Sequence, residues 1–315
     1  FKDDFVPDLS FVEDAAIAIA PHVKSGDLII LESTSPVGTT QDVVGRILEE
    51  HGHDIENNVY IAHCPERVLP GRILIELVQN DRIVGGINPV STKKAADFYR
   101  EFVCGEVLET NAATAELSKL SENSYRDVNI AFANELSMIC EDENVDPWEL
   151  INLANRHPRV NILQPGPGVG GHCIAVDPWF IISRAQEKSR LIKCAREVNS
   201  YKTQWVIERI VEKANKFKRP TIACLGLAFK PDVDDLRESA ALEIVKELEK
   251  INIGELLVSE PNISSHNMFS LCNYQDAIER ADIIVLLVKH KEFNTINHNH
   301  LNEKIVLDTC GVTKR

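Results

Sequence analysis

The sequence predicts an α/β protein with two Rossmann-like parallel-sheet domains joined by a central helical domain built on one long helix, the first sheet domain being incomplete. Three observations predict it. Short apolar runs of strand length alternate with helical patterns at both ends of the chain; that order belongs to crossover-connected parallel sheets covered on both faces. Between the two ends, residues 112–143 contain neither proline nor glycine. Pro220 then breaks the helical pattern, and strand-like runs resume. The expected domains are 1–110, 111–218 and 219–315.

Each element has a local reason. Residues 8–24 place Phe11, Val12, Ala15, Ile17, Ala18 and Val23 on a roughly helical face. Residues 27–32 hold Leu28-Ile29-Ile30-Leu31, a short buried strand. After it, Ser35 can cap a helix and Pro36 suits its first position. Residues 59–62 and 82–84 read as further strands. Asn111 caps the long helix, in which Leu117, Leu120, Val128, Ala131, Phe132, Leu136 and Ile139 recur at helical spacing up to a stop near Asp146-Pro147. Ile130, Ala133 and Met138 add a second apolar side. It suits a twin molecule, so a two-fold homodimer or larger homo-oligomer is expected; burial inside one domain is the alternative. Helices follow at 147–156 and 191–216. Strands at 221–225, 256–259, 283–288 and 305–307, separated by helices at 238–250 and 274–281, make the second sheet.

Composition excludes several classes. With 34 Lys and Arg against 48 Asp and Glu, the net charge is −14, which disfavours nucleic-acid and membrane surfaces as partners. The longest apolar runs are far too short to span a bilayer. Eight cysteines are scattered, none within four residues of another. That spacing makes no zinc knuckle and no redox pair, and reduced thiols in the cytoplasm fit it.

The stretch Gly166-Pro167-Gly168-Val169-Gly170-Gly171-His172-Cys173 carries the strongest chemical signal. Its glycines permit positive φ and close approach of backbone to a ligand. Asp177 follows four residues after Cys173, one turn on if Cys173 opens a helix. A thiol there has a lowered pKa and gains nucleophilicity. A structural loop with an inert cysteine is the other reading. No GxGxxG fingerprint lies between a strand and a helix. A Rossmann-type first domain would then have its phosphate-binding βαβ unit upstream of Phe1, and these 315 residues alone are expected to hold NAD weakly or not at all.

Five ordered motifs give the chain a resemblance to the nucleotide-sugar 6-dehydrogenases of the UDP-glucose/GDP-mannose dehydrogenase family, over its whole length. They are Glu32-Ser33-Thr34-Ser35-Pro36-Val37-Gly38; Cys64-Pro65-Glu66-Arg67-Val68-Leu69-Pro70-Gly71; Ala115-Glu116-Leu117 with Lys119-Leu120 and Asn123; the Gly166 to Cys173 loop; and Gly226-Leu227-Ala228-Phe229-Lys230-Pro231 followed by Asp235-Leu236-Arg237-Glu238-Ser239. Two details are most like the branch acting on UDP-N-acetyl-D-mannosamine: Glu66 to Gly71, and Asn155-Arg156-His157-Pro158-Arg159-Val160-Asn161-Ile162-Leu163-Gln164-Pro165.

The resemblance implies an NAD-domain, helical-domain, UDP-sugar-domain order. It also implies oxidation of a sugar C6 alcohol to a uronic acid with two NAD and one water, and no metal. Carried over by motif, Cys173 is the nucleophile and Lys119 stabilises the oxyanion. Asp177 and Thr34 hold the catalytic water, Glu66 serves base catalysis and hydrolysis, and Asn123 shares the helix face of Lys119. Arg67, Val68, Lys119, Asn123, Arg126, His157, Arg159, Gly170, Phe229 and Lys230 are implied UDP-sugar contacts, with Arg159 or His157 reaching a neighbouring subunit. Thr34 and Arg237 are implied NAD contacts. Without the motifs, Lys119 and Asn123 read as a solvated helix face, Glu66 and Arg67 as a surface ion pair, and Thr34 as a helix-entry hydroxyl. Open alternatives are a sister enzyme acting on another UDP-N-acetylhexosamine or on UDP-glucose, and a non-catalytic UDP-sugar-binding protein.

Overall fold

The apolar runs form two four-stranded sheets in a computed structural model that describes residues 7–68 and 72–313. The chain divides into two units, Phe1–Ser124 with Asp177–Ser189, and Tyr125–Val176 with Arg190–Arg315.

In the first unit, β1 (Leu28–Leu31), β2 (Tyr60–His63), β3 (Arg82–Gly86) and β4 (Val107–Asn111) lie in that order. β1 and β2 are parallel, as are β3 and β4; the β2–β3 step is antiparallel, with Ala62 opposite Gly86 and His63 opposite Gly85. Successive β2 residues feed opposite faces, as the strand period of two requires. Ile61 packs with Ala16, Ala20, Val44, Ile47 and Leu48. Ala62 packs with Val84, Ala95, Ala96 and Tyr99. These faces are covered by α1 (Ser10–Ile19), α2 (Arg46–Glu50) and α4 (Pro89–Arg100); α3 (Ile73–Gln79) precedes β3. The α4 start carries a cue in the sequence: Pro89 sits in its first turn, and the Asn88 side chain accepts from Ser91 N–H at 2.8 Å.

The helix expected at Ser35-Pro36 begins later. A π-helical turn, Thr39–Gly45, leads into α2, and Gly38 at its entry has φ +93°. The cap comes from far along the chain. Glu116 Oε2 accepts from Gly38 N–H at 2.6 Å, and its Oε1 accepts from Thr40 N–H at 2.8 Å and Thr40 Oγ1 at 2.7 Å. One distant carboxylate thus satisfies donors that a helix start leaves open.

Glu116 lies on α5 (Ala112–Asp142), 31 residues long. Asn111 Oδ1 accepts from Thr114 N–H at its start. The buried side of α5 is less apolar than its spacing suggests. Leu120 and Ala131 are buried, but so are Asn123, Asp127 and Asn134, while Leu117, Phe132 and Ile139 are exposed.

In the second unit, α6 (Pro147–Ala154) is capped by Asp146, which accepts from Trp148 N–H and Glu149 N–H. After it come α7 (Asp177–Arg184), which belongs to the first unit, and α8 (Arg190–Ala214). β5 (Thr221–Leu225), β6 (Glu255–Ser259), β7 (Ile283–Leu286) and β8 (Ile305–Asp308) form a fully parallel sheet of order β6-β5-β7-β8. Ile283 and Val285 pack under α8 and α9 (Ala240–Ile251) with Val206, Ile210, Ile244 and Leu248. Ile284 and Leu286 pack on the other face with Ala277 and Ile278 of α10 (Tyr274–Arg280) and with Phe293. A strand buried on both faces needs an unbroken apolar run, which Ile283-Ile284-Val285-Leu286 supplies. Among the described residues, no helix is long and apolar enough to cross a membrane.

Candidate active site

In the first unit, α5 aims Lys119 and Asn123 at the start of α7, being four residues apart and so on one helix face. Asn123 Nδ2 donates to Asp177 Oδ2 at 2.5 Å. Asp177 is 4% exposed. Burial pushes its pKa up to about 6, against the opposing pull of the Asn123 hydrogen bond and the Lys119 charge. Thr34, half-buried, lies in the loop after β1. Glu66 follows β2, where its N–H donates to Glu32 C=O and its Oε1 accepts from Val68 N–H at 2.5 Å. Loops at the carboxyl ends of parallel strands are where open α/β sheets bind ligands. Arg67 is already paired there, with Glu122 Oε1 on α5 at 2.8 Å. The last part of that motif, Leu69-Pro70-Gly71, lies outside the described residues.

In the second unit, Cys173 is exposed and sits in a turn, residues 172–176, that precedes α7. It does not open the helix. Pro178, next to the first residue of α7, has no N–H to offer Ile174 C=O, so it belongs in a first turn. The glycine-rich loop before Cys173 is fastened from two helices. Asn134 Oδ1 accepts from Gly166 N–H at 2.9 Å, and Thr203 Oγ1 donates to Pro167 C=O at 3.1 Å. Behind Asn134 stands a buried polar chain. Asn134 donates to Asn199 Oδ1, Asn199 donates to Asp127 Oδ1 at 2.7 Å, and Arg196 pairs with the same oxygen at 2.7 Å. No spacing rule marks these residues in the sequence, because their partners lie 65 to 72 positions away.

The loop borders a cavity of about 310 Å³ lined by Arg126, Gly170, Ile174, Phe229, Lys230 and Ser239, among others. Gly170 is there of necessity, since a Cβ would stand 2.3 Å from Glu238 C=O. Lys230 Nζ lies 5.4 Å from the Phe229 ring centroid. The cavity therefore offers two cations, an aromatic face and backbone groups, a donor set suited to a phosphorylated ring compound. His157 and Arg159 are exposed on a loop closed by Asn155, which accepts from Ile162 N–H and donates to Ile162 C=O. Arg237 is exposed and held by Asp235 at 2.7 Å; its hydrogen bonds bring the Asp235 carboxyl down to about 2.

Known proteins place this chain. The NAD binding domain of the UDP-glucose/GDP-mannose dehydrogenase family matches residues 1–103, its central domain 113–201 and its UDP binding domain 223–315. An NDP-N-acetyl-D-galactosaminuronic acid dehydrogenase from Ralstonia solanacearum is 53% identical over 99% of the chain and 76% of that protein. The chain belongs to the UDP-glucose/GDP-mannose dehydrogenase family. A UDP-N-acetyl-D-mannosamine dehydrogenase from Escherichia coli is 49% identical over 99% of the chain and 79% of that protein. Among solved structures, a UDP-D-ManNAc dehydrogenase from Pyrococcus horikoshii superposes with a TM-score of 0.89 at 40% identity, covering 99% of this chain and 75% of that one.

Family membership makes the protein an NAD-dependent oxidoreductase with a UDP-sugar substrate. The first unit has a feature that fits the dinucleotide. Ser35, 2% exposed in the loop after β1, keeps its hydroxyl buried with no hydrogen-bond partner among the described residues. With Thr34 beside it, this loop presents hydroxyls that a ribose or phosphate can engage.

Proposed function

We propose that the protein oxidises the C6 alcohol of UDP-N-acetyl-D-mannosamine to the uronic acid in two two-electron steps through a Cys173 thioester. The observation that carries this reading is Asp177. It is a buried carboxylate whose pKa burial pushes up to about 6, hydrogen-bonded to Asn123, within the field of Lys119 and four residues from a cysteine in sequence.

NAD, when bound, would accept the hydride, which carries both electrons, from C6 in each oxidation. The chain's own groups do the rest. Thr34 and Arg237 hold the cofactor, with Thr34 also bordering the reacting water. Glu66 takes the C6 hydroxyl proton, and Lys119 stabilises the alkoxide so formed and the later oxyanions in a water-poor site. The Cys173 thiolate adds to the aldehyde carbon, and the oxygen of the thiohemiacetal takes the charge. Loss of the second hydride leaves a thioester. Water, deprotonated by Asp177 or Glu66, attacks the thioester carbon; the carboxylate departs, and the electron pair of the broken C–S bond returns to sulfur. Arg67, Val68, Asn123, Arg126, His157, Arg159, Gly170, Phe229 and Lys230 hold the UDP-sugar. The cavity beside Arg126, Gly170, Phe229 and Lys230 supports four of these assignments.

Two NADH per UDP-N-acetylmannosamine consumed is the expected yield; one NADH with accumulating aldehyde would refute the four-electron scheme. The Ralstonia relative favours a second reading, the galacto epimer. Comparing kcat/KM for the two epimers decides between them. We further propose a homodimer seated on α5, where Tyr125, Phe132 and Ile139 recur at seven-residue intervals and are 66%, 52% and 49% exposed. Sedimentation should give at least twice the chain mass. An active monomer would refute it, and with it the sharing of His157 or Arg159 between subunits.

A further inference from the structure

Outside the groups already used, the second unit contains a buried carboxylate, Glu260, joined to a fully buried histidine, His290. Neither belongs to a motif that the reaction needs. Glu260 follows β6 and His290 follows β7, and both meet the segment that leaves β5.

Glu260 holds the near end of that segment. Its Oε2 accepts from Leu227 N–H at 2.7 Å and from Ala228 N–H at 3.0 Å. Its Oε1 accepts from Asn262 N–H at 3.0 Å and Asn262 Nδ2 at 3.1 Å. Burial alone would raise its pKa, but the hydrogen bonds from His290 and the backbone outweigh burial and bring it down to about 2. The far end is held by the imidazole, whose Nδ1 lies 3.0 Å from Asp232 N–H and 2.9 Å from Asn262 Nδ2. Asp232 in turn has φ +59°, and its Oδ1 accepts from Lys291 N–H at 2.9 Å.

The tautomer follows from donor chemistry. A backbone N–H can only donate, so Nδ1 carries no proton and acts as acceptor. The ring proton then sits on Nε2, which donates to Glu260 Oε2 at 3.0 Å. The pair is one connected clamp with Leu227 and Ala228 at one end and Asp232 at the other. Between these points lie only Phe229, Lys230 and Pro231, and all three line the 310 Å³ cavity. The three groups Asp232, His290 and Glu292 also come within 4.8 Å of one another, as a cation site would require. With Nδ1 occupied by two donors and Nε2 protonated, the imidazole has no lone pair left for a metal.

We propose that His290 and Glu260 are positioning residues for the sugar nucleotide, fixing both ends of the Phe229–Lys230 segment so that its aromatic face and its cation meet the ligand without further ordering. Preorganisation of this kind lowers the entropy lost on binding, so its removal should appear in substrate affinity and not in the chemical step. The proposal rests on the reading that Phe229 and Lys230 contact the UDP-sugar.

The test is steady-state kinetics of the protein with UDP-N-acetylhexosamine and NAD for Lys230→Ala, His290→Phe and His290→Asn. Phenylalanine keeps a ring and loses all three hydrogen bonds. The Asn Oδ1 can stand near the place of Nδ1 and accept from Asp232. Expected are KM for the sugar nucleotide raised about 10- to 100-fold in His290→Phe, partial recovery in His290→Asn, and kcat and KM for NAD within about 3-fold of the parent. Should His290→Phe not fold, Glu260→Gln, which loses the buried charge but keeps the side-chain shape, serves in its place with the same expected split. A KM unchanged in Lys230→Ala would overturn the placement of the ligand on this segment, and the proposal with it. A KM raised in Lys230→Ala but unchanged in the His290 and Glu260 variants would overturn the clamp alone. So would an equal fall in kcat without a KM effect.

Discussion

Two buried aspartates meet α5, and they are held in opposite ways. Asp127, on α5 itself, has Arg196 and Asn199 both 2.7 Å from one oxygen. Asp177, at the head of α7, has one amide donor, Asn123, and the more distant charge of Lys119. Burial pushes both pKa values up. What separates them is the company each carboxylate keeps. An arginine in contact and a connected amide chain make Asp127 part of the scaffold that fastens Gly166. Asp177, with one amide donor and a carboxyl that burial raises to about 6, is placed to exchange a proton at mildly acidic pH, as a group handling water in a reaction does.

The largest expected effect comes from removing the proposed nucleophile. Cys173→Ser should cut uronic acid formation by roughly 10³-fold or more, with UDP binding by calorimetry unchanged. Uronic acid formation at a near-parental rate would remove the thioester from the scheme.

Asp177→Asn should lower kcat by roughly 10²- to 10⁴-fold. In the parent, kcat should fall below about pH 6 as the carboxyl takes up its proton; the variant should lose that limb. The stability sign runs the other way. A folded pKa raised from 3.8 to about 6 means that the contribution of this group is fully present at low pH and is lost as pH rises through that window. Asp177→Asn should therefore not lower the melting temperature at pH 7, and a fall of many degrees would show Asp177 to be scaffold.

Asp127→Asn breaks the comparison from its other side. It leaves the Arg196 charge, 7% exposed, without its carboxylate, and losing one member of a buried pair costs about 3–5 kcal/mol. Denaturant unfolding should register that loss while kcat per folded molecule stays within about 3-fold. An intact stability with lost activity would reverse the roles of the two aspartates.

The smallest expected effect lies at the loop both helices support. Gly170→Ala would set a Cβ 2.3 Å from Glu238 C=O, so the loop must move. KM for the sugar nucleotide should rise by about 10-fold. An unchanged KM would detach Gly170 from the binding surface.

The sequence made parts of this legible and hid others for physical reasons. β5 and β7 lie in continuous apolar runs, and α5 is uninterrupted for 31 residues; length and period suffice there. β4 is Val-Leu-Glu-Thr-Asn, with exposed and half-buried positions only, so no apolar pattern announces it. Asn88-Pro89 announces α4, a signal present but easily passed over. The motif around Cys173 points to nucleophilic chemistry without a structure. The Asn123–Asp177 bond spans 54 positions, and nothing local encodes it. Phe132 and Ile139 repeat at helical spacing yet face outward, because Asn134 and Asp127 occupy the inward side with partners on α8.

The cap from Glu116 has a consequence for the order in which this chain acquires its structure. The turn at Thr39–Gly45 closes on a carboxylate 76 to 78 residues further on, so its first amides stay hydrated until that part of α5 arrives. A contact of such separation carries a loop-closure cost before it returns any stability. During synthesis, β1 and α2 leave the ribosome well before their cap exists. Amide exchange at Gly38 and Thr40 should thus report the docking of α5, closing in step with it although neither residue is part of that helix.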